Sequence, residues 1–221
     1  MEMEFPASAD EKYTFLTVLF VLALAAANII ASKIVVIFGI PAPAGIIVYP
    51  VTFMVTDVVS EAYGKGKAKR VVWTGFAMMI LFLLITQAAI YLPPAPFYRQ
   101  QAAFRRVLGA SSRIILASLV AYLASQTCDV ALFHFWKRVT KDRHLWLRNN
   151  LATMTAQLID TALFIFIAFY GTYGFEDCLG LIGGQYLFKF VFALLDTPFV
   201  YLGVWWAGKK VHSTFHVDDS L

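Results

Sequence analysis

Six stretches of about twenty mostly apolar residues fill nearly the whole chain, and little is left for anything but membrane-crossing helices. They run over Tyr13–Ala31, Gly45–Tyr63, Arg70–Leu92, Ser112–Trp136, Leu151–Tyr170 and Leu181–Trp206. The connections between them reach only about fifteen to twenty residues, too few to fold as a separate domain. Charged residues make up 14% of the chain, against about 25% in a soluble domain. The expectation is an all-α membrane protein in which residues 1–221 form one domain. Its six transmembrane helices should make a bundle around a central polar pocket. Ala23-Leu24-Ala25 imitates a signal cleavage site, but acidic Glu2, Glu4, Asp10 and Glu11 precede it where a signal peptide needs basic residues. The first helix is therefore expected to be retained.

Polar groups inside these runs carry the functional information. Asn28, Asp57, Gln126, Asp129, Gln157, Asp160, Lys189 and Asp196 all fall within them. Ionisable groups at membrane depth are expensive, so they face a bundle interior or a watery cavity and mark candidate sites. Several fall at helical spacing, where residues three and four apart are neighbours. Ser118, Tyr122, Ser125, Gln126 and Asp129 make one face of the fourth span, and Asn150, Thr153, Gln157 and Asp160 one face of the fifth. Gln185, Lys189 and Asp196 share a face of the sixth, while the second offers Thr52, Thr56 and Ser60 beside Asp57. Gln126-x-x-Asp129 is echoed by Gln157-x-x-Asp160, so two helices each present an amide and a carboxylate one turn apart. At 1.5 Å per residue, Asp129, Asp160 and Asp196 lie roughly 10 to 15 Å from the inner ends of their helices. They can converge near the midplane, beneath Asn28 and Lys189. This is the anatomy of a transporter or of a substrate-capture protein. The competing reading makes the amides glue between helices and an Asp a structural partner of Lys189 or Arg113, as in a membrane scaffold.

Basic residues report orientation. With the N-terminus cytoplasmic, 12 Lys and Arg fall on the inner side and 5 on the outer, which matches the positive-inside rule. All five Trp fall near the inner side as interfacial anchors would. A multi-pass protein of the plasma (inner) membrane with both termini cytoplasmic follows. The net charge of +4 is thus a lipid signal, and no nucleic-acid partner is implied. The segment Gly39–Gly45, with Pro41 and Pro43, interrupts the apolar pattern as an outer loop or as a re-entrant lid. Phe97–Ala110 is expected as a short interfacial helix. Ala23, Ala27 and Ala31 have small-xxx-small spacing, which suits internal packing, a homo-oligomer or a partner helix.

Enzyme chemistry has no foothold. The chain lacks a Walker A loop, a Gly-x-Ser-x-Gly and a His-Glu-x-x-His. His212-x-x-x-His216 belongs to a solvated tail, and Cys128 and Cys178 lie at different depths with no metal spacing. No catalytic residue, metal or cofactor is expected.

Several motifs resemble the queuosine-precursor transporter family, also called the vitamin-uptake-transporter family. They are Ala27-Asn28-Ile-Ile-Ala-Ser-Lys33, Tyr49-Pro50-x-x-Phe53-x-x-Thr56-Asp57 and Gly64-x-x-x-Ala68-Lys-Arg70. The likeness continues through Ser112-Arg113-x-x-x-Ala117-Ser118-x-x-Ala121-Tyr122-x-x-x-Gln126-x-x-Asp129, Asp160-Thr161 and Tyr186-x-Phe188-Lys189, and so covers essentially the whole chain. The resemblance implies a six-helix importer of 7-cyano-7-deazaguanine or 7-aminomethyl-7-deazaguanine. It also implies a fold like the substrate-binding subunits of energy-coupling-factor transporters, working without that module. A capture subunit needing a separate ATP-driven module is the alternative, with the alanine face of the first helix as its docking surface.

The polar residues suit such a substrate. A carboxylate can accept N1–H and N2–H₂ of the base together, an amide offers a donor and an acceptor, Lys189 or Arg113 can donate to O6, and an aromatic face can stack on the ring. Asn28, Asp57, Tyr122, Gln126, Asp129, Gln157, Asp160 and Lys189 are the expected substrate-binding residues. Asp129, Asp160 and Asp196 are candidates for proton coupling, with facilitated diffusion the other possibility.

Overall fold

The computed structural model describes residues 8–139, 145–195 and 197–208, with side chains for all of these except 126, 127, 129–139, 145–153, 193, 194 and 197. Among them the chain forms seven α-helices, one two-stranded hairpin and one 3₁₀ turn. The order is α1 (Ala9–Ile30), β1 (Ile34–Ile37), β2 (Ile40–Pro43), the 3₁₀ turn (Ala44–Ile47), α2 (Tyr49–Tyr63), α3 (Lys65–Tyr91), α4 (Gln101–Val139), α5 (Leu145–Phe169), α6 (Phe175–Leu195) and α7 (Thr197–Trp206). Three described stretches are long and apolar enough to cross a membrane: Ala9–Ile30, Lys65–Tyr91 and Gln101–Ser125. Met154–Phe169 on α5 is a shorter apolar stretch.

Local chemistry explains the boundaries. Ser8 caps α1: its hydroxyl accepts from the Glu11 backbone N–H at 3.2 Å, and the Glu11 carboxylate accepts from the Ser8 N–H at 2.9 Å. Pro50 sits in the first turn of α2, where its missing donor costs nothing.

The expectation of an all-α chain needs a correction at residues 34–43. Pro41 and Pro43 bar a helix there, and Ile34-Val-Val-Ile37 is rich in β-branched residues that favour a strand. Phe38 and Gly39 take φ of 51° and 81°, the positive values that a two-residue hairpin turn requires. The strands pair antiparallel, Ile34 with Pro43 and Ile37 with Ile40. β2 lies on α6, where the Pro41 carbonyl occupies the space a side chain on Gly184 would fill.

Two further boundaries move. The segment expected as a separate interfacial helix is the first part of α4, whose helix starts at Gln101, eleven residues before the predicted Ser112. The sixth span is covered by α6, which starts at Phe175, and by α7, with Pro198 in its first turn.

Small residues are used internally. Ala23, Ala27 and Ala31 are buried within the chain, and a Cβ on Gly45 would stand only 2.7 Å from the Ala27 carbonyl. The stripe thus receives the 3₁₀ turn of its own chain and is closed to a partner helix. Lys12 at the start of α1 donates to the Trp206 carbonyl at 2.9 Å and lies 5.4 Å from the Trp206 ring centroid, so the two ends of the described chain meet.

Two apolar clusters hold the helices. One joins Leu16 and Phe20 of α1, Val55, Val58 and Val59 of α2, Val71 of α3 and Val204 of α7. The other joins Ala31 to Ile114, Ala117 and Ala121 of α4, Phe164, Ile165 and Phe169 of α5, and Cys178 and Leu181 of α6. A cavity lies between them.

Candidate functional site

The cavity has a volume of about 310 Å³ and is lined from six helices. From α1, α2 and α3 come Phe20, Leu24, Tyr49, Thr52, Phe53, Thr56 and Val72; from α4, Ser118, Ala121, Tyr122 and Ser125; from α5 and α6, Gln157, Asp160, Phe164 and Lys189. Its size is at the lower end of the range for small-molecule sites. A smaller space of about 90 Å³ adjoins it, with Asn28, Phe76, Met79, Ile115 and Leu119 as its own walls.

The only charged lining residues described are Asp160 and Lys189, and they are paired. Lys189 Nζ donates to Asp160 Oδ2 at 2.7 Å, with the two side chains 22% and 8% exposed, Asp160 the more so. Lys189 also donates to Thr161 Oγ1 at 3.2 Å and, at the limit of hydrogen bonding, to Gln157 Oε1 at 3.5 Å. Thr161 is fully buried, and its hydroxyl donates to the Gln157 carbonyl at 2.8 Å, so its lone pairs are turned towards the ammonium. An ammonium has three N–H donors. All three have acceptors within this chain. The Tyr49 ring centroid lies 5.8 Å from the ammonium, within cation–π range.

Asp160 keeps room for a further partner. Among the described residues its second oxygen meets the Ser125 hydroxyl, at 3.4 Å, and a carboxylate accepts at about four lone-pair sites. Gln157, one turn before Asp160 on α5, also lines the cavity.

The opposite wall offers surface in place of donors. The Thr52 hydroxyl donates to the Tyr49 carbonyl at 2.7 Å and Thr56 to the Phe53 carbonyl at 2.8 Å, so both donors are spent on the helix itself. Tyr49 and Phe53, one turn apart, stack with ring centroids 6.0 Å apart and planes at 27°.

The expected site residues divide accordingly. Gln157, Asp160 and Lys189 come together, and Tyr122 lines both spaces. Asn28 is 3% exposed and lines the smaller one. Asp57 is absent from both linings: it follows Thr56 by one residue and so points about 100° around the helix from it. Gln126 and Asp129 belong to α4, but their side chains lie outside the described residues, as does Asp196 altogether. Arg113 is also elsewhere, donating to the Ile167 and Tyr170 carbonyls at the end of α5 at 2.7 and 2.6 Å. Among the described residues no group of three His, Cys, Asp or Glu could hold a metal. Tyr49 and Thr161 were not singled out as ligand residues, although Thr161 follows Asp160 directly and Tyr49 stands four residues before Phe53.

Cys178 lies in the second apolar cluster, away from the cavity. Burial pushes its thiol above the usual range, Asp177 adds to the shift, and Arg113 opposes it.

A family model described as "Putative vitamin uptake transporter" matches residues 43–203. A Bacillus subtilis (strain 168) protein named "Probable queuosine precursor transporter" is 35% identical over 190 residues, which cover 86% of this chain and 81% of that protein. An Escherichia coli (strain K12) protein named "Queuosine precursor transporter" is 29% identical over 159 residues, 71% of this chain and 68% of the relative. No solved structure matches.

Proposed function

This chain belongs to the vitamin uptake transporter family, and from that membership we propose that it carries a queuosine precursor, a 7-deazaguanine base, into the cell for tRNA modification. The observation that carries the reading is the cluster of half-buried Gln157 and Asp160 with buried Lys189 at the edge of a cavity that a stacked aromatic pair also lines. Asp160 Oδ1, the oxygen not bound to Lys189, accepts N1–H or N2–H₂ of the base. The Gln157 amide and the Ser125 or Tyr122 hydroxyl supply the remaining polar contacts. Tyr49 and Phe53 lie against the ring face, where stacking tolerates any flat base. Lys189 acts through Asp160, holding the carboxylate in place.

In this reading the chain is a multi-pass protein of the inner membrane with six spans. The three long apolar stretches support the membrane assignment, and the 12-to-5 basic asymmetry favours cytoplasmic termini. The Lys12–Trp206 contact agrees with termini on one side. Asp129 and Asp196 remain candidates for proton coupling. For Asp160 that role competes with its bond to Lys189.

Complementation tests the function. Cells that lack precursor synthesis and their own carrier are given the deazaguanine, and queuosine in their tRNA is measured. The chain should restore it, and Asp160→Asn should not. A membrane-localised wild-type chain that restores no more queuosine than empty vector would sink the proposal.

A further inference from the structure

The 90 Å³ space adjoins the main cavity and shares with it the lining residues Phe20 and Leu24 of α1, Val72 of α3 and Ser118 and Tyr122 of α4. Beyond those residues its lining includes Phe76, Met79 and Leu119, and no carboxylate or ammonium among the described residues. Asn28 is the one amide in it. One Asn28 N–H donates to the Leu24 carbonyl at 2.8 Å, and the partner for the other among the described residues is the Met79 sulfur, at 3.9 Å. A thioether is a weak acceptor, so this buried donor is poorly served, and such donors favour a better partner.

We propose that this annex is the subsite for the substituent on the five-membered ring of the base, and that it takes a short, uncharged, hydrogen-bond-accepting group such as a nitrile over an ammonium. The proposal rests on the reading of the main cavity as a deazaguanine site. Asp160 and Gln157 on α5 face the N1–H and N2–H₂ edge. The substituent leaves the ring from the far side, away from that edge, and the annex lies on that side among α1, α3 and α4. A nitrile nitrogen replaces the sulfur as acceptor for Asn28, and its carbon packs on Phe76, Met79 and Leu119. An aminomethyl group brings a positive charge into a space without a counter-charge, and burying an unpaired charge is unfavourable.

The test is calorimetric titration of the purified full-length protein with 7-deazaguanine, 7-cyano-7-deazaguanine and 7-aminomethyl-7-deazaguanine. The cyano base should bind about tenfold or more tighter than the aminomethyl base, a difference of about 1.4 kcal/mol. Asn28→Leu should bring the affinity ratio of the cyano to the unsubstituted base close to one. Leu119→Phe fills the annex without touching Asn28 and should lower the same ratio, which covers the case that Asn28→Leu fails to fold. Equal or tighter binding of the aminomethyl base by wild type overturns the proposal, as does an unchanged ratio in the folded variants. Failure of all three bases to bind overturns the deazaguanine reading itself, and the subsite with it.

Discussion

On the α5–α6 side of the main cavity, each polar group is tied to another: Lys189 to Asp160, Thr161 and Gln157, and Asp160 to Ser125. On the α1–α3 side no lining residue carries a charge, and the threonine hydroxyls donate back to their own helix. Both walls come from similarly apolar helices, but they offer a ligand different things. In the proposed function the first offers a carboxylate oxygen in a fixed direction, which would discriminate between bases, and the second offers flat area, which would add affinity for any of them. On that reading selectivity and affinity are separable, helix by helix.

The largest expected effect comes from breaking the tied wall. Lys189→Met leaves half-buried Asp160 without its cation; losing one partner of a fully buried pair costs about 3–5 kcal/mol, and the partial exposure of Asp160 should bring the loss to the low end of that range or below. Thermal unfolding in detergent should show the loss, and the double variant Lys189→Met with Asp160→Asn should recover most of the stability while still failing to bind the base. A single variant as stable as wild type would mean that the pair contributes nothing to holding this wall.

Next comes Asp160→Asn alone. Hydrogen bonds to a charged group are worth about 1.5–3 kcal/mol, so deazaguanine affinity should fall by one to two orders of magnitude. The preference over adenine should shrink with it. Calorimetry with both bases decides this, and an unaltered preference would place discrimination elsewhere.

Phe53→Leu addresses the other wall. Losing one stacking face costs about 1–3 kcal/mol, and the loss should fall equally on adenine and the deazaguanine. A loss confined to one base would erase the distinction between the walls. The smallest effect on binding is expected from Glu176→Cys, at the exposed start of α6. It should bind as wild type does and react with an impermeant maleimide added outside intact cells. Native Cys178, buried and with its thiol pushed up, should stay unlabelled. Labelling of the new cysteine only in inverted vesicles would reverse the orientation.

The charged wall was the more legible in the sequence, for a physical reason. A carboxylate or ammonium in an apolar helix stands out, and helical spacing put Gln157 with Asp160 and Gln185 with Lys189 on shared faces. What spacing within a helix could not give was the pairing across helices. The ammonium was placed above the carboxylates from the position of its Cα, whereas the long side chain brings it within 2.7 Å of Asp160. The aromatic wall was nearly silent, because Tyr and Phe are ordinary in membrane helices and only the fold shows Tyr49 and Phe53 stacked at the cavity. Asp57 lines neither space, because polarity marks a helix and not the side of it. The hairpin was hidden by its shortness: four-residue strands around a two-residue turn give too little alternation to read, although the prolines correctly excluded a helix.

The bond between Asp160 and Lys189 also bears on how the chain enters the bilayer. α5 and α6 are separated by the five residues 170–174. Each helix alone would carry one bare charge into hydrocarbon, at about 2.5–3.5 kcal/mol near the centre of a span. Entering as a joined pair, the two charges neutralise each other before either meets lipid. In the proposed six-span reading the biosynthetic unit at this end of the chain would be the α5–α6 hairpin, and a nascent chain stopped after α5 should be held at the insertion machinery until α6 emerges.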